Sequence, residues 1–264
     1  MLYPIIQVNK KGTLMALNSN PIINRSLRDG AKETGISRPI TVDSIINKTL
    51  LLLSIILITA VPTFMASQAG IINPVVTTIG AGLVGLGLIL FAVFTNRMNN
   101  PLVSIVYSVL QGLFLGAGSM VITASSVGQM TGQGMIGLAI MGTLVIFAIM
   151  LGLYKSGFIK VNRTFIVVVS AATLGILAVT LLNLGLSFIG FGFGLRDASF
   201  MGILFSLFCI VIAALNFCID FKNIDTLVES RADIKYSWGA SLGLVITLVW
   251  LYIEILNLIR NLQR

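Results

Sequence analysis

The 264-residue sequence contains no histidine. That absence removes histidine general bases, most zinc sites and the two-histidine metalloprotease helix. Cysteine is nearly absent too. Cys209 and Cys218 lie nine residues apart in one apolar run. Nine residues of helix separate them by about 13 Å along the axis and put them on opposite faces. They cannot bridge to each other, so small buried apolar residues are expected there. Charge is scarce: only 10% of residues are Asp, Glu, Lys or Arg, against about 25% in soluble domains. The scarcity excludes a soluble globular enzyme and a charge-rich disordered chain.

Long apolar runs take the place of charge. Hydrophobic residues make up 56% of the chain and the mean hydropathy is +1.01. A membrane-crossing helix needs about 20 apolar residues. Barrel strands would instead alternate over about 10 residues, and the runs here are unbroken and roughly twice as long. The fold class expected is therefore all-α, a polytopic membrane protein of seven transmembrane helices. The spans are placed at about 47–66, 74–95, 102–124, 134–154, 164–186, 199–220 and 238–258. Pro62 is expected to kink the last turn of the first. The aromatic-glycine stretch Phe188–Gly194 either extends the fifth span or lies at the interface. Residues 1–46 form a polar N-terminal tail, partly helical at most, and 47–264 form the membrane domain. The apolar start, Met1–Gln7, is too short for a signal peptide.

The net charge of +8 does not imply nucleic acid, because its sources sit at span edges. Fourteen cations, among them Lys48, Arg97, Lys155, Arg163, Lys222 and Lys235, fall on the side of the N-terminal tail. Arg196, Arg260 and Arg264 fall on the other. Cytoplasmic loops carry the excess of Lys and Arg, so the expected topology has the N-terminus cytoplasmic, in the cell (inner) membrane. The lipid bilayer is the first expected partner.

Small residues accumulate in the second and third spans. Gly80, Gly82, Gly85 and Gly87 follow one another in span 2, and Gly112 and Gly116 form a small-xxx-small pair in span 3. Such faces let helix backbones approach closely. No strand precedes these glycines and no lysine follows them, so they do not form a phosphate-binding loop.

Two acids stand out for their depth. Asp220 ends span 6, and Glu254 lies well inside span 7. An ionisable group inside a membrane is costly and marks function by default. An interfacial acid near water at Asp220, and an outward-reaching or structural acid at Glu254, are the plain alternatives. Two carboxylates that share a site titrate as a pair, which suits a pH sensor or a cation path. Asn183 and Asn216 are secondary candidates, with polar adhesion between helices as their expected role. No catalytic residue, cofactor or resident metal is expected.

The residues Ala213–Asp225 and Trp238–Leu256, with Asn20-Pro21 through Lys48-Thr49 and Pro101 through Ser119, resemble the Bax inhibitor-1, or transmembrane Bax-inhibitor-motif, family. The likeness is to a bacterial branch of it. It implies seven helices with a central last helix wrapped by the other six. It also implies a calcium-permeable, pH-sensitive leak gated by a carboxylate on the sixth helix paired with one on the seventh. Asp220 matches the first and Glu254 the second, as Glu where Asp is more usual. The stretch between them is about ten residues longer than the family's usual one. On the span edges above, Glu254 lies about 24 Å up from Trp238, while Asp220 sits near the cytosolic end. The two meet only if span 6 runs past Asp220 and span 7 starts later, or if part of 221–245 is interfacial. Asp225 and Glu229 are then alternative partners.

Two functions follow. The first is a pH-sensitive calcium or cation leak channel. The second is a non-conducting membrane partner that modulates a protease or a stress regulator, with other membrane proteins as partners. A third, an intramembrane aspartyl protease, rests only on the loose likeness of Gly192–Asp197 to a glycine-aspartate motif.

Overall fold

A computed structural model of the chain describes residues 7–8, 14–15, 38–124, 130–188 and 199–263. Among the described residues seven helices follow one another: α1 (Val42–Gln68), α2 (Pro74–Phe94), α3 (Pro101–Ala124), α4 (Gly132–Lys155), α5 (Arg163–Phe188), α6 (Phe200–Glu229) and α7 (Tyr236–Leu262). All seven are long and apolar enough to span a membrane. The described part of the tail contributes a two-residue ladder, Gln7–Val8 against Leu14–Met15, and the first residues of α1, from Val42. Residues 189–198, which include most of the aromatic-glycine stretch and the loose aspartyl-protease likeness, lie outside the described residues.

Local chemistry sets the helix ends. The Thr41 hydroxyl accepts from the Ser44 amide while Ser44 accepts from the Thr41 amide, a reciprocal cap that satisfies two amides lacking helical partners. Asn73 accepts from the amides of Val75 and Val76, 3.0 and 3.2 Å, and Pro74 fills the first turn, where no amide is missed. Gly70 stops the connection after α1 at φ 71°, a conformation glycine adopts without a Cβ penalty. Pro62 does not end its helix; α1 runs six residues further, to Gln68.

The expected spans and the helices agree to within a few residues, with two instructive exceptions. Helix α1 begins at Val42, five residues before the expected edge, because its cap lies in the polar stretch ahead of the apolar run. Helix α6 continues nine residues past Asp220, because Phe221, Ile224, Leu227 and Val228 keep packing on the core. Its last turns carry charge, which hydropathy reads as loop.

Helix α7 is the axis of the bundle. It packs mainly on α1, α3, α4 and α6, whereas α2 is held chiefly through α3 and α5 chiefly through α6. The last helix is thus central, as the family likeness implies, with a closer ring of four. Side chains of α4, α6 and α7 form the main core. Within it Phe147 meets Phe217 edge-on at 5.2 Å and Phe221 at 5.7 Å, a preferred aromatic geometry. Outward, Ile58, Leu83, Leu144, Val168 and Leu174 are exposed apolar side chains, the surface that contacts the bilayer. Cys209 and Cys218 are both buried, and neither is in a disulfide.

Gly112 and Gly116 set the α1–α3 contact. A Cβ on Gly112 would lie 2.7 Å from the Ile56 carbonyl oxygen, and one on Gly116 would lie 2.8 Å from Thr63 Cβ. Backbone approach this close is what small residues permit. The run in α2 behaves differently. Gly80 and Gly87 would meet nothing within 4 Å, so the expected packing face there is only half real.

Candidate functional site

The end of the bundle where α1 starts and α6 meets α7 is assembled from three segments. Ile40 donates its amide to Ala232 O at 2.8 Å, and Ile234 donates to Arg38 O at 3.0 Å. These two bonds fasten the chain before α1 to the α6–α7 turn. That turn stays tight because Arg231 adopts φ 50°. Lys48, partly buried on α1, donates to Ile234 O at 3.3 Å and to the Ser237 hydroxyl. Its ammonium also lies 4.9 Å from the centre of the Trp238 ring, within the range of cation–π attraction. One turn further in, Ser241 donates to Ile45 O at 2.9 Å.

The three acids separate. Asp220 faces α7: Thr247 donates its hydroxyl to Asp220 Oδ2 at 2.7 Å, and a Cβ on Gly243 would come within 3.8 Å of Asp220 Oδ1. Glu254 is 1% exposed and accepts from the Trp250 indole at 3.2 Å. Asp225 faces α4 instead, accepting the Tyr154 hydroxyl at 2.6 Å. Five residues of helix turn Asp225 about 140° away from Asp220, so it is no alternative partner for Glu254.

Asp220 and Glu254 address one side of α7 at different depths. Thr247, which holds Asp220, precedes Glu254 by seven residues, which is two turns and about 10 Å of rise. The longer α6 brings Asp220 deeper into the bundle than its expected edge did. The earlier start of α7, at Tyr236 rather than Trp238, keeps the two acids on separate levels. They form a tier, each bound by a donor of α7. Thr247 and Trp250 were not among the expected site residues. Their signal was the alternating three- and four-residue spacing that aligns them with Glu254.

Asn216 joins helices, as expected: its amide donates to Thr173 of α5 at 2.8 Å and to Ile212 O at 2.8 Å. A small apolar cavity lies between α2, α3 and α7, lined by Thr78, Phe114, Gly118 and Tyr252 among others. Tyr252 is two residues, or about 200°, from Glu254, so the cavity lies across α7 from the acids. Its polar rim is the 2.8 Å hydrogen bond between the Ser119 and Tyr252 hydroxyls. Among the described residues, no cluster of three or more acids or cysteines is placed to hold a metal ion.

A family model described as Bax inhibitor 1 like matches residues 20–264. The chain belongs to the Bax inhibitor 1 like family. That match takes in all seven helices and both Asp220 and Glu254. No match was found among curated proteins. As a Bax inhibitor 1 like protein, the chain is a multi-pass membrane protein whose lipid-facing surface is the exposed apolar belt.

Proposed function

We propose that this protein is a pH-sensitive cation leak, with calcium among the ions it passes, governed by the acids on α6 and α7. The observation that carries the reading is Glu254, fully buried on the central helix two turns beyond the Asp220–Thr247 bond. An ionised carboxylate at such depth costs roughly 2.5–3.5 kcal/mol on insertion scales. A sequence keeps such an acid where it exchanges a proton, holds water or meets a cation. The family membership supports the same reading, since the likeness that placed Asp220 and Glu254 in the sequence implies this activity. The split of cations supports a cytoplasmic N-terminus in the cell membrane. No catalytic step is part of the reading.

Purified protein in liposomes loaded with a calcium-sensitive dye tests it. Calcium entry above that of protein-free liposomes, varying with pH, is expected. A protein that admits no calcium at any pH overturns the leak and points to the non-conducting role, as a modulator of a membrane protease or stress partner.

A further inference from the structure

The remaining polar groups of α7 are not scattered. Thr247, Trp250, Glu254, Asn257 and Asn261 follow at spacings of three, four, three and four residues. On a helix this confines them to an arc of about 80°. Between Leu242 and Asn261, Tyr252 and Arg260 are the remaining residues with polar side chains, and both lie off the arc. Four of the five are buried: Thr247, Glu254, Asn257 and Asn261 are each at most 7% exposed. The polar row starts at Asp220, which meets both Thr247 and the Gly243 position. It ends within the last turn of α7.

Its outer end shows an unmet demand. Asn261 accepts from the Arg260 guanidinium through Oδ1, at 3.3 and 3.0 Å, but its Nδ2 is buried and has no hydrogen-bond partner, a state that costs roughly 1–3 kcal/mol. Asn257 donates one amide hydrogen to Ile253 O at 3.0 Å, and its Oδ1 is the oxygen that a cation would meet. An acceptor oxygen beside a carboxylate suits a cation, and an amide donor one turn further on suits the oxygen of the cation's hydration water. Many hydroxyls inside these helices bond the carbonyl four residues back, as those of Thr49, Thr63, Ser67 and Thr143 do, whereas Asn261 Nδ2, like the Ser104, Ser108 and Thr180 hydroxyls, is buried without a partner.

We propose that the row from Thr247 to Asn261 is the wetted wall along which a partly hydrated cation passes between Asp220 and the far membrane face, with Asn257 and Asn261 as its outer ligands. This rests on the leak reading and names the residues that line it.

The test uses single cysteines in the full chain with Cys209→Ala and Cys218→Ala, reconstituted in liposomes. The probe is a small cationic methanethiosulfonate. Asn257 and its neighbour Leu256 are 3% and 0% exposed, so burial alone predicts equal, slow reaction. The wetted row predicts that Asn257→Cys and Asn261→Cys react about tenfold faster than Leu256→Cys, because thiol modification follows exposure. In the dye assay Asn257→Leu and Asn261→Leu are expected to cut calcium flux about tenfold by replacing polar lining with hydrocarbon, and Tyr252→Phe to leave it unchanged. Should a leucine variant fail to fold, Asn257→Ser and Asn261→Ser take its place, with flux nearer the parent's. A parent chain silent to calcium overturns the leak reading and the cation's passage with it. A conducting parent whose Asn257→Cys reacts no faster than Leu256→Cys overturns the wetted row alone.

Discussion

Thr247 gives its hydroxyl hydrogen to Asp220 across the α6–α7 interface at 2.7 Å, two helical turns below Glu254 on the same side of α7. Asp220 is therefore held by the helix that carries the second acid, and not by that acid. Thr247→Val keeps the side chain's shape and deletes the donor. It is expected to cost about 1–3 kcal/mol, the range for losing a bond to an acidic group, read as a lower melting temperature in detergent. Combined with Asp220→Asn it should cost less than the sum of the two, since partners in one bond are non-additive. Strict additivity would show that the bond contributes nothing.

The tiered acids have a consequence for pH. Asp220→Asn and Glu254→Gln each remove a titrating carboxyl, and each is expected to flatten the pH response of calcium flux. Direct pairing would make the double variant no worse than the stronger single. A separation of two turns, at the edge of the roughly 7–10 Å range of coupling, predicts effects that approach additivity. Asp225→Asn, on the α4 side of α6, is expected to leave the pH response as it is. A flattened response in that variant would move the sensor to the Tyr154–Asp225 bond.

The glycines of α2 and α3 should part company. Gly112→Leu and Gly116→Leu drive a side chain into the backbone of α1 and are expected to cost at least the roughly 1–3 kcal/mol of core overpacking. Gly80→Leu and Gly87→Leu meet open space and should melt within a degree or two of the parent, an effect below about 0.5 kcal/mol. Equal melting of all four variants would remove the α1–α3 contact as a packing constraint.

Lys48 ties three elements at one end of the bundle. Lys48→Met retains the stem but loses the bonds to Ile234 and Ser237 and the contact with Trp238. A loss of about 1.5–3 kcal/mol is expected, the range for hydrogen bonds to charged groups. Trp238→Leu should cost less in this background than in the parent, because its cationic partner is already gone while its packing against Leu52, Ile56, Val245 and Val249 is lost in both. Melting curves of the three variants check this.

The topology is tested from outside the cell. Ser156 is exposed in the turn after α4, on the side given fourteen cations. Ser156→Cys should resist a membrane-impermeant thiol reagent applied to intact cells and react after lysis. Labelling before lysis would invert the orientation.

The helices were legible in the sequence because a 20-residue apolar run has few other fates, and cation asymmetry adds an independent register. The acids were legible as residues but not as neighbours. Hydropathy ended span 6 at Asp220, since Lys222, Asp225 and Glu229 lower the local average. The helix nevertheless continues, because its apolar side chains in that stretch all face the core. Such one-sided burial is a periodicity signal, which a sliding mean erases. The same holds for Thr247, Trp250 and Asn257. Each is ordinary by type and becomes informative only through its spacing from Glu254. The span-2 glycines show the opposite failure: their composition promised contact, but half of them face away from any helix.

The bond from Ser241 to Ile45 joins residues 196 positions apart, and the strand-like pairing of Arg38–Ile40 with Ala232–Ile234 closes a similar distance. During synthesis, then, the first helix can dock on the third through Gly112 and Gly116, but its contacts with the last wait until that helix is made. The first six helices wait without their axis until the seventh, which carries Glu254 and two asparagines, enters among them. Closure of the bundle thus waits on the final step of synthesis: a chain that stops short of Tyr236 leaves its inserted helices with no axis.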